Sequence, residues 1–392
     1  MHIQGSKLIF YKNNPAGSLL SWLFPLFYLA NLYRMTGHSS LPYTVGLIFV
    51  GAIGLLILLL NRVPRKDILY IIIVIFLITG VLNLLLVRNS DYRELLSDTL
   101  YMGMVILMIM YPMTYKQSFI FFYVYIATFL IGYIMGTGTH YFLTSSGNYI
   151  SVLIILAASI YYMTIQLSDH RFTAIDILPA LLCFLISIWA KGRGGILSCL
   201  ILLALVTIYN SLNFAGKGAK RFLLLACFLV VVGGYFLIGN VSFLDAFLNL
   251  GKWRYRGFDT TSRQVLWSAY NEKVQENFLH IFIGAPLNQI SLIHSLNNNT
   301  HNSFLQLHAT NGLIAFVLLI ALLIKAFIYF LKNKRTLFAI VLLVVFVRGM
   351  TDKFIFGQYG MPILMYLILY PYFDRYISER RLNNPAGTKS TM

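Results

Sequence analysis

Apolar residues fall along this chain in long runs separated by short polar joints. A helix that crosses a membrane needs about 20 such residues in succession. Twelve runs approach that length, at roughly 17–33, 45–61, 68–87, 98–115, 118–136, 150–166, 174–190, 195–213, 222–239, 311–331, 336–349 and 361–373. The pattern predicts an all-α polytopic integral membrane protein with about 12 transmembrane helices. The run at 336–349 is short and leads directly into Arg348. No small-residue cleavage site follows the first run, so it reads as the first span rather than a leader. Most joints are brief, and the exception is a stretch of about 70 residues between Asn240 and Thr310. The chain therefore divides into helices one to nine within 1–239, a long outer loop at 240–310, helices ten to twelve within 311–373, and a solvated tail at 374–392.

The long loop does not have the make-up of a linker. It holds Trp253, Tyr255, Phe258, Trp267, Tyr270 and Phe278. Between Asp259 and Phe278 the apolar positions keep helical spacing, with Thr260 or Thr261 available as a cap. Arg263 and Trp267 are four apart and share one face of that helix. A second, amphipathic helix is predicted to begin near Thr300 and to lead into the tenth span. On it His301, Leu305 and His308 are expected to share a face.

Composition narrows the class. Of 392 residues, 58% are hydrophobic and only 11% charged, the latter about half the soluble average. Mean hydropathy is +0.74. A soluble globular enzyme, a disordered chain and a disulfide scaffold are all excluded. Cys183, Cys199 and Cys227 lie inside apolar runs and read as packing residues. The net charge of +17 needs no nucleic acid to explain it. It fits the orientation signal of a membrane protein together with an anionic lipid-linked ligand.

Orientation follows from Lys and Arg. With the amino terminus inside, inner joints and ends carry seventeen of them and outer segments twelve, Lys325 lying within a span. The twelve are the more informative number, because outer loops are normally poor in basic residues. Five of them sit in the 240–310 loop, Arg254, Arg256 and Arg263 included, while Arg193 and Arg348 lie at span ends on the same side. Arginine grips phosphate oxygens in bidentate fashion, and a charge at membrane depth marks a functional site by default. The same loop closes on Asn297-Asn298-Asn299-Thr300-His301-Asn302-Ser303-Phe304. A histidine with a pKa of about 6.5 can take a proton from a sugar hydroxyl near neutral pH. Arginines that stabilise a leaving lipid pyrophosphate beside such a histidine describe a glycosyl transfer. No nucleotide fingerprint or metal-ligand spacing is present, so neither metal nor cofactor is expected. Each residue also has a plainer reading. Arg193 can anchor a helix end, Arg263 can pair with Asp259 or Glu276, Arg254 and Arg256 can touch anionic lipid, and Asn302 can cap a helix or orient His301.

At these residues the sequence resembles the bacterial O-antigen polymerase and O-antigen ligase superfamily, membrane glycosyltransferases of the GT-C class. Lys191-Gly192-Arg193-Gly194-Gly195 is similar to the family's Ser-Arg-Gly-Gly entry to a span, with Gly192 in place of Ser. Ser262-Arg263 followed by Trp267 resembles the outer-loop motif, and Gly284-Ala285-Pro286 the Gly-rich turn after it. His301-Asn302 followed by Gly312-Leu313 resembles the family's His-Asn motif, and Arg348-Gly349 with Asp352 is a fainter echo. The resemblance covers roughly 190–320. It implies a GT-C-like architecture in the bacterial inner membrane, with both termini cytoplasmic and a periplasmic active site. It also implies an undecaprenyl-pyrophosphate-linked oligosaccharide as substrate, arginines on the pyrophosphate, and His301 as base. Polymerisation of repeat units is the favoured activity, with membrane lipids and a chain-length regulator as expected partners. Two alternatives stand beside it: ligation of the glycan to lipid A–core, and flipping of a lipid-linked oligosaccharide.

Overall fold

The computed structural model describes residues 15–35, 39–60, 63, 65–89, 92–134, 147–168, 170–190, 192–213, 261–296 and 298–382. Among them every regular element is helical. In chain order these are α1 (Pro15–Met35), α2 (Leu41–Leu59), α3 (Lys66–Leu86), α4 (Tyr92–Met110), α5 (Tyr115–Ile134), α6 (Gly147–Leu167), α7 (Leu178–Trp189) and α8 (Arg193–Asn213). The region of the long connection contributes α9 (Thr261–Gln275), α10 (Phe278–Ile283) and α11 (Ser291–His294). The chain closes with α12 (Ser303–Lys332), α13 (Thr336–Thr351) and α14 (Met361–Leu382). Eleven of the twelve apolar runs coincide with helices, and the run at 222–239 lies outside the described residues.

Among the described residues five helices are long and apolar enough to cross a membrane: Leu41–Leu59, Lys66–Leu86, Tyr149–Leu167, Gly194–Asn213 and Ser303–Lys332. Their outward faces are apolar as well. Leu56, Leu59, Ile78, Leu85, Val317 and Ile324 are all exposed, a pattern that water does not tolerate and lipid does. This is the build of an all-α membrane protein. The centre is formed by α6, α13 and the first half of α14, where residues 361–370 are buried without interruption. Cys183 and Cys199 are buried and free there, as packing residues. Around this centre α2 packs on α4, with Gly54 and Gly103 face to face, and α12 packs on α3 and α13.

Contacts sort the helix ends into two groups. At one end Tyr28 donates to the carbonyl of Tyr359 (2.6 Å), Gly357 N–H donates to Asp98 (2.8 Å), and Ser303 donates to the carbonyl of Asp352 (2.7 Å). At the other, Arg335 pairs with Asp374 (2.9 Å) and Gln117 donates to Ser21 (2.8 Å). Helices thus alternate in direction, and the start of α12 meets the end of α13 at the first end.

One break decides how the first end is built. Within α12, Gly312 takes φ 72° and ψ −174°, a conformation costly for any residue with a Cβ. A Cβ there would also lie 1.9 Å from the carbonyl oxygen of Phe282. The helix splits into a short segment, 303–311, and a long one. Carbonyls freed at the break are taken up by asparagines. Asn83 donates to Ile283 (2.6 Å) and Ala309 (2.7 Å), and Asn89 donates to Ala285 (2.5 Å) and Ala309 (2.8 Å). Asn311 donates to the carbonyl of Phe76 (3.2 Å). Buried backbone groups need partners, and these side chains fasten the short segment to α3 and to the loop.

Candidate functional site

The short segment begins at a well-made cap. Asn302, 7% exposed, has extended backbone and its side chain accepts from the amides of Phe304 (2.9 Å) and Leu305 (3.2 Å). Such caps contribute about 1 kcal/mol. Of the two roles open to Asn302, this one is observed. The residue before it does not continue the helix. His301 has φ 51°, in the left-handed region where His, Asn and Asp are the tolerated non-glycine residues. It therefore does not lie on the α12 face with Leu305 and His308, contrary to the spacing argument.

That turn is fixed from three sides. His301 N–H donates to Asn299 Oδ1 (2.8 Å), and Thr300 Oγ1 donates to the carbonyl of Asn302 (2.8 Å). Trp267 Nε1 donates to the carbonyl of Thr300 (3.1 Å). The indole makes α9 a brace for the histidine loop. Arg263 stands one turn before Trp267 on α9 and is half-buried. His308, seven residues on, is a packed histidine between Tyr270 Oη (2.6 Å) and the carbonyl of Ile281 (2.9 Å).

Facing His301 is Asp352, the first residue after α13. Its Oδ1 lies 3.6 Å from His301 Nδ1. Its Oδ2 lies 3.3 Å from Arg348 Nη2, one helical turn back. Arg348 is fully buried, and its Nη1 donates to Thr351 Oγ1 (2.8 Å). Ser303 clamps the two chain segments together. Its hydroxyl donates to Asp352 O and accepts from the amides of Phe354 (3.0 Å) and Ile355 (3.3 Å). The carboxylate is thus held by a buried guanidinium behind and turned to an imidazole in front. His301 Nε2 has no partner among the described residues, and the side chain is 31% exposed. An imidazole with a carboxylate 3.6 Å from one nitrogen and the other nitrogen free is an arrangement that general-base catalysis can use.

Burial pushes the Asp352 carboxyl up, but the His301 ring and the Arg348 guanidinium outweigh it and hold it below the ordinary carboxylate value. The sign of its effect follows. A carboxyl lowered on folding contributes stability above its unfolded value, about 3.9, and that contribution disappears as pH falls through the folded value. Melting temperature in detergent is expected to decline below about pH 4, and Asp352→Asn is expected to flatten that decline. Identical acid profiles for the two proteins would contradict the pairing.

The Gly-Gly step at the start of α8 meets the same place. A Cβ on Gly194 would lie 2.8 Å from Thr351 Oγ1 and 3.5 Å from Arg348 Nη1, and one on Gly195 would lie 2.0 Å from Ser151 Oγ. Small residues here let the amino end of α8 press on the Arg348 turn. Arg193 is the first residue of that helix. Its side chain lies outside the described residues, as do Arg254 and Arg256. The structure thus gathers His301, Asn302, Arg348 and the backbone of Arg193, with Arg263 one turn from the brace. Sequence reasoning left out Asp352 as a site residue, and Ser303. The signal was present: among only 13 acidic residues, Asp352 stands four after a membrane-depth arginine.

Among the described residues no three His, Cys, Asp or Glu side chains are grouped to hold a metal. No protein-family model matches the chain, and no curated protein matches it.

Proposed function

We propose that this protein is a membrane glycosyltransferase of GT-C type that polymerises undecaprenyl-pyrophosphate-linked O-antigen or related repeat units. In this reading it spans the inner membrane about twelve times, and the His301 end faces the periplasm. The observation that carries it is the Asp352–His301 pair, with a free imidazole nitrogen on a loop braced by Trp267. His301 Nε2 takes the proton of the acceptor hydroxyl as that oxygen attacks the anomeric carbon of the donor glycan. The bond from that carbon to undecaprenyl pyrophosphate breaks, and the pyrophosphate leaves as an anion. Asp352 holds the ring through Nδ1 and stabilises the imidazolium that forms, with Arg348 keeping the carboxylate ionised. Arg193 and Arg263, with Arg254 and Arg256 in the same loop, are the groups assigned to the leaving pyrophosphate.

Lipopolysaccharide from a strain lacking the gene tests the reading. Core bearing a single repeat unit is expected, since polymerisation is lost and ligation survives. Bare core would overturn the polymerase assignment in favour of a ligase or a flippase. The bidentate role has its own test. Arg263→Lys keeps the charge but loses the planar fork, and kcat/KM is expected to fall about tenfold or more, the equivalent of one lost charged hydrogen bond of about 1.5–3 kcal/mol. Unchanged turnover would release Arg263 from the pyrophosphate.

A further inference from the structure

The short helix α10 carries an apolar face that the mechanism above does not use. Its sequence is Phe278-Leu279-His280-Ile281-Phe282-Ile283, and none of these residues is buried. Phe278, Leu279 and Phe282 are 71%, 57% and 42% exposed. Their spacing puts all three on one side of the helix, and the two phenyl rings pack edge to face at 5.0 Å. His280 is the one polar residue. It donates through Nδ1 to the carbonyl of Lys273 (2.9 Å), so its ring is engaged with the neighbouring α9. Contiguous exposed apolar surface of this kind marks an interaction with a partner or a membrane.

The place of α10 in the fold selects the membrane. The span α3 has 21 residues, about 30 Å at 1.5 Å per residue, which is the thickness of a bilayer's hydrocarbon core. Asn83, three residues short of its end, donates to the carbonyl of Ile283 (2.6 Å). The carbonyl of Phe282 abuts Gly312. Next to that glycine, Asn311 reaches the carbonyl of Phe76 (3.2 Å), ten residues before Leu86 and about 15 Å along the helix from it. The end of α10 thus lies within the depth spanned by α3, not beyond it. The exposed residues on either side are apolar: Leu82, Leu85 and Leu86 on α3, and Ile314 and Val317 on α12. The open face of α10 adjoins the lipid-facing sides of both spans.

The turn after α10 suits the same medium. Irregular backbone is tolerated at membrane depth only where protein covers it and satisfies its polar groups. Gly284, Ala285 and Pro286 are all buried. Gly284 N–H donates to the carbonyl of His280 (2.9 Å), the carbonyls of Ile283 and Ala285 accept from Asn83 and Asn89, and Leu287 N–H donates to Asn89 Oδ1 (2.7 Å). We infer that α10 is a re-entrant membrane anchor. It dips into the leaflet at the His301 end, with Phe278, Leu279 and Phe282 among the acyl chains of the bilayer lipids. The occupant is lipid because the face continues the lipid-facing sides of two spans and offers no polar group to a protein partner. This placement holds whatever reaction His301 performs. His308 Nε2 donates to the carbonyl of Ile281 (2.9 Å), which ties α10 to the 303–311 segment that starts beside His301. An anchored α10 thereby holds the His301 loop at the bilayer boundary, the level of a lipid headgroup.

The test is spin-label EPR on the full-length protein in phosphatidylcholine nanodiscs. Nitroxide labels are placed at Leu279→Cys and Phe282→Cys, with Glu276→Cys as the water-side control, in a chain carrying Cys183→Ala, Cys199→Ala and Cys227→Ala. Power saturation compares oxygen, which enriches in hydrocarbon, with nickel ethylenediaminediacetate, which stays in water. Labels at 279 and 282 are expected to meet oxygen more than nickel, and the label at 276 the reverse. Nickel accessibility at 279 and 282 equal to that at 276 would overturn the anchor. A label at 279 or 282 that meets neither reagent would also overturn it, because protein, such as a second copy of this chain, would then cover the face. A second measurement needs no variant. Wild-type protein in vesicles of phosphatidylcholine with a diazirine in the upper part of one acyl chain is irradiated and its adducts are mapped by mass spectrometry. Adducts are expected within 278–283 as well as at Leu85 and Val317. Adducts on α3 and α12 with none on α10 would contradict the inference.

Discussion

His301→Asn is expected to lower the rate of glycan transfer by about 10²–10⁴-fold, the usual contribution of a general base, while leaving the protein folded. Asparagine is the informative replacement because of the backbone. At φ 51° an alanine meets a left-handed strain of about 1–2 kcal/mol, and its loss of activity would mix chemistry with folding. Asparagine tolerates that conformation and supplies no base. The backbone bond from residue 301 to Asn299 and the Trp267–Thr300 brace survive the change. Single-turnover rates with a lipid-linked donor, measured beside melting temperature, check it. A variant as fast as wild type would remove His301 from the chemistry.

Arg348→Ala is expected to have the largest effect on the protein itself. It leaves the Asp352 carboxylate, 3% exposed, without its buried guanidinium. Breaking a buried pair in this way costs about 3–5 kcal/mol. Folded protein recovered from the membrane should fall steeply, and activity with it. Arg348→Met combined with Asp352→Asn removes both charges and should recover much of the folded protein. It should not recover activity, because Asp352 no longer steadies the imidazolium. Recovery of turnover in the double variant would mean that the carboxylate has no part in the reaction. A single Arg348→Ala protein of normal yield would mean that the pair contributes little to the fold.

The helical framework was legible because each span announces itself as a run of apolar residues, and packing alters such a run little. Its limits are instructive. Apolar residues mark the fourth run at 98–115, but α4 starts at Tyr92 and ends at Met110. The polar first turn, with Arg93 and Glu94, looks like a loop to a hydropathy reading and is in fact helix. The helix expected at 259–278 forms at Thr261–Gln275, as its spacing directs. Spacing misled at His301, where helical periodicity was extended two residues too far. A left-handed residue ahead of an asparagine cap carries no periodic signature, and its neighbour's capping role was one of two readings left open. Gly312 was visible as a motif position, but its kink depends on Asn83 and Asn89 more than two hundred residues earlier. Distant partners of this kind, Asp352 for His301 among them, are set by the packing of helix ends. Local sequence gives no measure of that.

The measurement that bears most directly on the central claim is transfer by the purified full-length protein in liposomes, supplied with undecaprenyl-pyrophosphate-linked repeat units as the sole substrate. A ladder of lengthening glycans, with one undecaprenyl pyrophosphate released per bond formed, is the predicted result. Substrate carried across the bilayer without a ladder or pyrophosphate carrier release would contradict it.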